Sequence, residues 1–176
     1  MNSQPHPLSH AEYTKSVDEE RYPDDPHVPL DEPFVNAAGS ILNVLLERFT
    51  SVALIESHPG AVRANHYHKT DWHYAYVLSG SIVYGWRPVD GAESVQVRTF
   101  KTGQLFFTPP RVAHVMYFPE RTTFMTFARN KRDHESHESD VVRVPSMFDV
   151  SWSRFTGQYQ YTVDPNASEV DTGTPS

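Results

Sequence analysis

The sequence contains no cysteine, which excludes disulfide bonds, thiolate catalysis and cysteine–metal ligation. It also lacks any apolar run near the roughly 20 residues that a membrane-spanning helix requires, so no membrane segment is expected. The first ten residues are polar and contain prolines, unlike a secretory signal, which favours a cytoplasmic protein. No basic stripe is present and the net charge is −7, so nucleic acid is an unlikely partner.

Glycine is sparse, with 8 residues, whereas the 176-residue chain has 14 prolines and 12% aromatic residues. A chain of this length can bury a single core. Abundant proline and aromatic residues without long helical apolar patterns favour an all-β domain that carries tails. Because prolines remove backbone donors, residues 1–33 are predicted to form an extended arm rather than a packed helix. A disordered segment is the alternative to an arm that wraps the barrel or a second subunit. The prolines of this arm are Pro5, Pro7, Pro23, Pro26, Pro29 and Pro33.

Short apolar runs follow one another from about Ile41, separated by turn residues at intervals near ten residues. This spacing is typical of a sandwich or closed barrel, and we assign the barrel to residues 34–130. Within it, Ile41–Phe49 has the composition of a helix, but its β context favours a strand. Residues 131–163 are predicted to be a C-terminal extension that packs on the barrel, with a strand pair in 150–163. Residues 164–176 are predicted to be a flexible tail.

Ten histidines are present, and two of them form the sequence His66-Tyr67-His68. Because side chains alternate along a strand, both imidazoles would project from one face and could reach one metal ion. The charged run Lys131–Asp140 contains His134 and His137, which we expect to lie on a solvated loop or helical turn. His58 precedes a Pro-Gly turn and is also expected to be exposed.

The histidine pair belongs to a longer pattern that resembles the cupin superfamily. The first cupin motif is G-x5-H-x-H-x3,4-E-x6-G and the second is G-x5-P-x-G-x2-H-x3-N. Three departures are visible, since His73 replaces the glutamate, Arg111 the second glycine and Phe118 the asparagine. The residues that carry the resemblance are Gly60, His66, His68, His73 and Gly80 in the first motif, and Gly103, Pro109 and His114 in the second.

The resemblance implies a cupin-type double-stranded β-helix, or jelly-roll barrel, around one divalent transition metal. The ligands would be His66, His68, His73 and His114, and imidazoles are compatible with Fe, Mn, Zn or Ni. Replacing glutamate by histidine leaves the ion's full charge, which favours an anionic or enolisable substrate. Two alternatives stay open: a metal-free barrel, and a three-histidine centre with His73 as a hydrogen-bonding or proton-transfer neighbour. Asp71 falls one residue short of the family's ligand spacing.

Strand alternation also suggests which side chains face the centre. Tyr84 is the candidate for a catalytic hydroxyl, since its strand follows the turn at Gly80. An apolar cavity with few polar groups is the usual form of a small-molecule site. Arg63 and Lys69 flank the histidine strand and could attract an anion. The candidate substrate-binding residues are Arg63, Trp86, Phe107 and Met116.

A narrower similarity links the chain to cupin domains of nucleotide-sugar and capsule-sugar enzymes. It rests on 63–69, Pro109-Pro110 and Ala128-Arg129-Asn130. The favoured function is a metal-dependent isomerase, epimerase or cyclase acting on a small sugar-, ketone- or polyketide-like metabolite. A non-haem metal dioxygenase and a non-catalytic ligand-binding cupin are the alternatives. A homodimer is plausible, because the N-terminal arm could cover an exposed sheet edge of a second subunit.

Overall fold

The computed structural model describes residues 8–90 and 94–164. Neither helix in these two ranges is long and apolar enough to cross a membrane. The elements in chain order are α1 (His10–Asp18), β1 (His27–Val28), β2 (Phe34–Asn36), β3 (Gly39–Ile41), β4 (Ser51–Ser57), β5 (Val62–His68), β6 (His73–Ser79), β7 (Ser81–Pro88), β8 (Gln96–Lys101), β9 (Leu105–Thr108), β10 (Val112–Tyr117), β11 (Thr122–Ala128), α2 (His134–Asp140), β12 (Val141–Arg143), β13 (Phe148–Ser153) and β14 (Gln158–Val163).

Two antiparallel five-stranded sheets form the body of the molecule, which confirms the predicted all-β jelly-roll architecture. Their strand orders are β1-β9-β6-β11-β4 and β12-β5-β10-β7-β8. Alternate residues from both sheets meet in an interior core, as expected for packed β-sheets. The fully buried members of that core are Ala75, Val77, Ile82, Tyr84, Phe100, Phe106, Phe118 and Phe124.

The two sheets take strands from both flanking segments. β1, within the predicted arm, pairs with β9, and β12, within the predicted extension, pairs with β5. The barrel is therefore completed by residues outside 34–130. The predicted tail, 164–176, lies outside the described residues except for Asp164.

The prediction of an extended arm without a packed helix is wrong for part of 1–33. Ser9 caps α1, and its side chain and that of Glu12 form a reciprocal capping box. Tyr13 and Val17 are buried against the outer face of the first sheet. The prolines stand on either side of a proline-free stretch, so they delimit this helix instead of preventing it.

The prediction of a strand over 41–49 is also wrong beyond its first residue. Strand β3 ends at Ile41, and no regular structure follows until β4 begins at Ser51. The preceding hairpin β2–β3 is exposed along its whole length. Its apolar residues Phe34, Val35 and Ile41 are each more than 60% exposed. The hairpin therefore has no packing partner within the described part of the chain.

The C-terminal extension covers the outer face of the second sheet. Met147 and Phe148 are buried there against Val83, Ala113 and Val115. Gly85 allows this close approach, because a Cβ at Gly85 would lie 2.6 Å from the Phe148 ring. The hairpin β13–β14 continues beyond Phe148 and is largely exposed.

The departure from the cupin pattern at Arg111 has a local explanation. Arg111 has φ +58°, a left-handed conformation that glycine adopts without steric cost. The guanidinium of Arg111 forms a bidentate pair with Asp90, with Nη2–O distances of 2.6 and 2.8 Å. Both side chains of this pair are exposed, and the fold keeps the turn without the family glycine.

Candidate metal centre

Three strands bring four histidines together at one end of the barrel interior. β5 carries His66 and His68, β6 carries His73 and β10 carries His114. One nitrogen each from His66, His68 and His114 lies within 4.8 Å of the other two. The His73 ring centroid lies 5.4 Å from that of His68 and 5.3 Å from that of His114. The structure thus groups three imidazoles most tightly and places the fourth beside them.

A β-bulge in β5 directly before His66 sets the direction of the histidine pair. His114 faces His66 across the sheet, but Val115 faces Ala64, so β5 contains one extra residue. Ala64 and Asn65 both have positive φ, at 71° and 55°. The Asn65 amide oxygen accepts a hydrogen bond from the backbone of Met147 at 3.0 Å. The C-terminal extension therefore stabilises the bulge that aims the histidines.

His68 is oriented by a buried carboxylate from the end of α2. Its Nδ1 lies 2.9 Å from Oδ2 of Asp140. Because an ionised carboxylate only accepts hydrogen bonds, Nδ1 carries the hydrogen and Nε2 keeps its lone pair. This Nε2 is buried and has no hydrogen-bond partner among the described residues. A carboxylate–histidine pair of this kind is the usual support of a metal-ligating imidazole.

The other buried imidazoles also keep unpaired nitrogens. Nδ1 of His114 lies 3.2 Å from the carbonyl oxygen of Val112, to which it donates, so its Nε2 is the free acceptor. Nδ1 of His73 is buried without a partner in the described part of the chain. Buried polar atoms are normally satisfied. Unpaired nitrogens that cluster in one place fit a divalent cation that accepts their lone pairs.

Burial keeps these imidazoles neutral. It lowers the pKa of His66 to about 3, with neighbouring His68 and His137 adding to the effect. The pKa values of His73 and His114 are held well below the usual range, again chiefly by desolvation. Burial and the nearby Arg132 lower the pKa of His68, although Asp140 opposes the shift. Since a metal binds the neutral imidazole, the centre is prepared for binding at neutral pH.

Asp71, Asp140 and His68 form a second cluster of potential ligands, with one atom of each within 4.8 Å of the others. Its carboxylates already have protein donors. Asp140 accepts from the backbone and hydroxyl of Thr70, each at 2.8 Å, and Asp71 accepts from the backbone of Asn130 at 2.8 Å. These contacts mark a hydrogen-bonded support for His68 rather than a separate cation site.

Tyr84 and Trp86 lie beside the histidines, on the neighbouring strand β7. The Tyr84 ring centroid is 6.2 Å from that of His114, and Trp86 stacks on Tyr84 at 5.4 Å. The Tyr84 hydroxyl is buried and 2.9 Å from Oγ1 of Thr108. Burial raises the pKa of Tyr84 well above its usual value, so the phenol stays protonated. A cavity of about 480 Å³ opens next to this pair, lined also by Tyr22, Pro23, Asp24, Pro26, Pro88, Gln96, Phe107, Pro109, Pro110 and Val112.

The remaining predicted substrate-binding residues are placed differently. Met116 lies in the interior core with Tyr84. Phe107 contributes to the cavity wall, but its main packing is outside the barrel, against Tyr13 of α1. Arg63 is exposed, and its guanidinium donates to Oγ of Ser57 and to the Glu56 carbonyl oxygen. Because these bonds hold Arg63 at the end of β4, the structure does not bring it to the histidines.

Sequence reasoning missed three residues at the centre, all in the run 131–140. Asp140 supports His68, and Arg132 lies 3.5 Å from the buried Asp71. The His137 ring centroid is 5.8 Å from that of His68, so the expectation that His137 is a simple surface residue is wrong. No spacing within the run signals these roles. The available indication was that the run contains four histidine or aspartate residues, Asp133, His134, His137 and Asp140, shortly after the last predicted barrel strand.

The two antiparallel sheets and the clustered histidines define the class of protein: a β-barrel with a candidate metal centre. The sequence profile of the cupin family matches residues 40–152, which is more than half of the chain. The chain therefore belongs to the cupin family, and the resemblance seen in the motifs is confirmed. A search of curated protein sequences finds no match.

Solved structures share the fold at low sequence identity. The sugar 3,4-ketoisomerase QdtA from Thermoanaerobacterium thermosaccharolyticum, in complex with TDP, matches with a TM-score of 0.52 and 16% identity over 64% of this chain and 82% of that one. A 3,4-ketoisomerase from Helicobacter canadensis matches with a TM-score of 0.53 and 14% identity over 64% of this chain and 85% of that one. The capsular polysaccharide assembling protein CapF from Staphylococcus aureus matches with a TM-score of 0.51 and 19% identity over 67% of this chain and 33% of CapF. These likenesses establish the fold.

Proposed function

We propose that this cupin is a metal-dependent enzyme that isomerises, epimerises or cyclises a small oxygenated metabolite. The observation that carries the proposal is the convergence of the His66, His68 and His114 nitrogens, with His68 held by Asp140. The free lone pairs of these buried imidazoles fit one divalent ion, either Fe, Mn, Zn or Ni. His73 would be a fourth ligand or a hydrogen-bonding neighbour. We keep the cytoplasm as the expected location.

When bound, a divalent ion would polarise a substrate carbonyl and stabilise negative charge that develops on its oxygen. The protein's own residues would manage the protons. Tyr84 stays protonated, so its hydroxyl can donate to a substrate oxygen but cannot serve as a base at neutral pH. His137 is partly exposed, and its ring centroid lies 6.2 Å from that of His66 and 5.8 Å from that of His68, so its imidazole is the candidate proton acceptor. This pairing suits proton transfer at a carbon next to a carbonyl.

A sugar-like substrate is supported by the cavity beside Tyr84. Trp86 and Tyr84 present stacked aromatic rings there, and such surfaces bind the apolar faces of sugars and planar rings. The neighbours named as 3,4-ketoisomerases belong to the same fold, one of them in complex with TDP. We therefore place a keto-sugar, free or nucleotide-linked, first among the substrates to test.

Metal content tests the centre directly. The protein, purified without a metal-affinity tag, should carry close to one equivalent of metal by mass spectrometry. The His66→Ala, His68→Ala double variant should lose it. The matched control His58→Ala, His134→Ala removes two exposed histidines and should keep it. A wild-type protein that binds no metal on titration would contradict the proposal and leave a ligand-binding cupin as the better interpretation.

Solvent deuterium exchange tests the chemistry. Incubation of a keto-sugar with the metal-loaded protein in D2O should introduce deuterium next to the carbonyl, as measured by NMR. The His66→Ala, His68→Ala variant should not catalyse this exchange. Consumption of dioxygen without exchange would instead support the dioxygenase alternative.

We also propose a homodimer as the assembled state. The exposed hairpin β2–β3 has no partner within the described residues, and the edge strand β4 exposes Val52 and Leu54. A second copy that covers both would bury this apolar surface. Light scattering should show a dimer that a Val35→Glu, Leu54→Glu variant dissociates. A wild-type monomer at micromolar concentrations would contradict the proposal.

A further inference from the structure

Arg132 is a partly buried cation close to the histidine centre, and among the described residues only Asp71 contacts it as a carboxylate, at 3.5 Å. It lies between β11 and α2, and its side chain is 22% exposed. Its contact with Asp71, at 3.5 Å, is at the limit of a hydrogen bond, and Nε is buried without a partner in the described part of the chain. A guanidinium has five N–H donors. Most of the donor capacity of Arg132 is therefore available to a ligand.

The position of Arg132 relative to the histidines follows from Asp71. One Asp71 carboxylate oxygen lies within 4.8 Å of a His68 nitrogen, and Arg132 contacts the same carboxylate. The positive charge of Arg132 also contributes to the lowered pKa of His66, His68, His73, His114 and His137.

This side of the centre is open to solvent. His66, Arg132 and His137 are each partly exposed, whereas His68, His73 and His114 are buried. The positive charge of Arg132 acts on both partly exposed imidazoles, so an anion that approaches His66 and His137 would be attracted by the guanidinium. Asp140 and Asp71 lie beside His68, whereas the nearby Glu138 is paired with Arg143. A divalent ion together with Arg132 would therefore carry more positive charge than Asp140 and Asp71 neutralise.

We propose that Arg132 is the oxyanion-binding residue of this centre, so that the substrate carries a carboxylate or phosphate group beside the oxygens that reach the histidines. The planar guanidinium can hold such a group with two parallel hydrogen bonds. The inference rests on the proposed function and adds the charge of the substrate to it. It also assigns to Arg132 the role that sequence reasoning gave to Arg63.

The test compares two probes that differ mainly in charge, glycolate and its neutral amide, glycolamide. Titration calorimetry on metal-loaded protein should show that wild type prefers glycolate. Arg132→Gln should weaken glycolate binding about tenfold or more, the size expected for a charged hydrogen-bonded pair, and leave glycolamide unchanged. The matched control Arg143→Gln removes an exposed arginine from the same segment and should behave as wild type.

Inorganic phosphate, titrated in parallel, distinguishes the source of the oxyanion. A larger loss for phosphate than for glycolate in Arg132→Gln indicates a phosphorylated substrate, and the reverse indicates a carboxylate. Equal binding of glycolate and phosphate to wild type and Arg132→Gln, or an equal loss of glycolate and glycolamide, overturns the proposal. If Arg132→Gln lacks the wild-type circular dichroism spectrum, Arg132→Met, which keeps an apolar stem, replaces it.

Metal-free wild-type protein separates this inference from the metal proposal. If the protein takes up no metal but still prefers glycolate in an Arg132-dependent manner, the oxyanion site stands and the metal centre does not. If the protein binds metal but Arg132→Gln has no effect on either anion, the metal centre stands and the oxyanion site fails.

Discussion

The barrel strands and the C-terminal extension both build the histidine centre, but they contribute different groups. β5 and β10, which pair with each other in the second sheet, and β6 of the first sheet supply neutral imidazoles. The segment 131–140 supplies charged groups, Asp140 and Arg132, together with the half-buried His137. The extension is therefore part of the site as well as a cover for the second sheet.

The pKa values of ionisable groups are lowered in both regions, but for different physical reasons. Desolvation lowers the pKa of His66, His73 and His114, because burial disfavours the charged imidazolium. Burial alone would raise the pKa of Asp140, but hydrogen bonds from Thr70 and His68 lower it overall. A neutral histidine cluster is thus held in place by a carboxylate that remains ionised. Lowering the pH should therefore destabilise the folded state through both regions, because it favours protonation of the histidines and of Asp140.

The largest expected effect is acid destabilisation of the metal-free protein. The unfolded histidines protonate near pH 6.5, whereas folded His66 does so only near 3. Stability is therefore full above about pH 6.5 and falls as the pH is lowered below it, by about 1.4 kcal/mol per pH unit for each such histidine. Urea unfolding at pH 7.5, 6.5 and 5.5 measures the slope. His66→Gln should flatten it, and an unchanged slope would mean that His66 is not held neutral by the fold.

A packing change in the extension should come next in size. Phe148→Ala should reduce the free energy of unfolding by about 3–5 kcal/mol, because the ring fills the space over Gly85. Phe155→Ala, in the exposed turn of the same hairpin, is the matched control and should change stability by less than about 0.5 kcal/mol. Chemical denaturation measures both. Equal effects would show that the hairpin does not pack as the structure places it.

Asp140→Asn should weaken metal binding about 10–100-fold, as expected when the carboxylate behind a ligating histidine is lost. Asparagine can still accept from Thr70, but it no longer holds the charge that orients the His68 ring. Competition with a chelator measures the affinity. Asp149→Asn, an exposed carboxylate on β13, should leave the affinity unchanged. A wild-type metal affinity in Asp140→Asn would show that the extension does not contribute to metal binding through Asp140.

The sequence predicted the barrel from regularly spaced turn residues, and it predicted the four histidines through the resemblance to the cupin motifs. Glycine and proline at turn positions divide the strands, and alternation places His66 and His68 on one face. The extra residue at Asn65 could not be read from alternation, since a bulge depends on contacts with β10 and Met147. The direction of side chains near such a bulge therefore does not follow from alternation alone.

Contacts distant in sequence explain the remaining errors. Asp140 reaches His68 across 72 residues, and α1 packs on Phe107 through contacts that no local pattern encodes. A run of charged residues such as 131–140 is typical of a solvated surface, and most of its members are exposed. The exceptions are Asp140, Arg132 and His137. Their burial depends on tertiary contacts and could not be predicted from the run itself.

The substitution Arg143→Gln should have the smallest effect on stability and metal affinity. It tests whether a charged residue near the histidine centre is also part of it. Arg143 pairs with Glu138 at 3.0 Å, and its side chain is 71% exposed. Solvent and salt screen such a pair, so Arg143→Gln should shift the thermal midpoint by less than about 2 °C and leave metal affinity unchanged. Differential scanning calorimetry and chelator competition measure the two quantities. Arg143 lies opposite His66 in the pairing of β12 with β5. A loss of metal affinity as large as that of Asp140→Asn would therefore show that Arg143 supports the centre through β12.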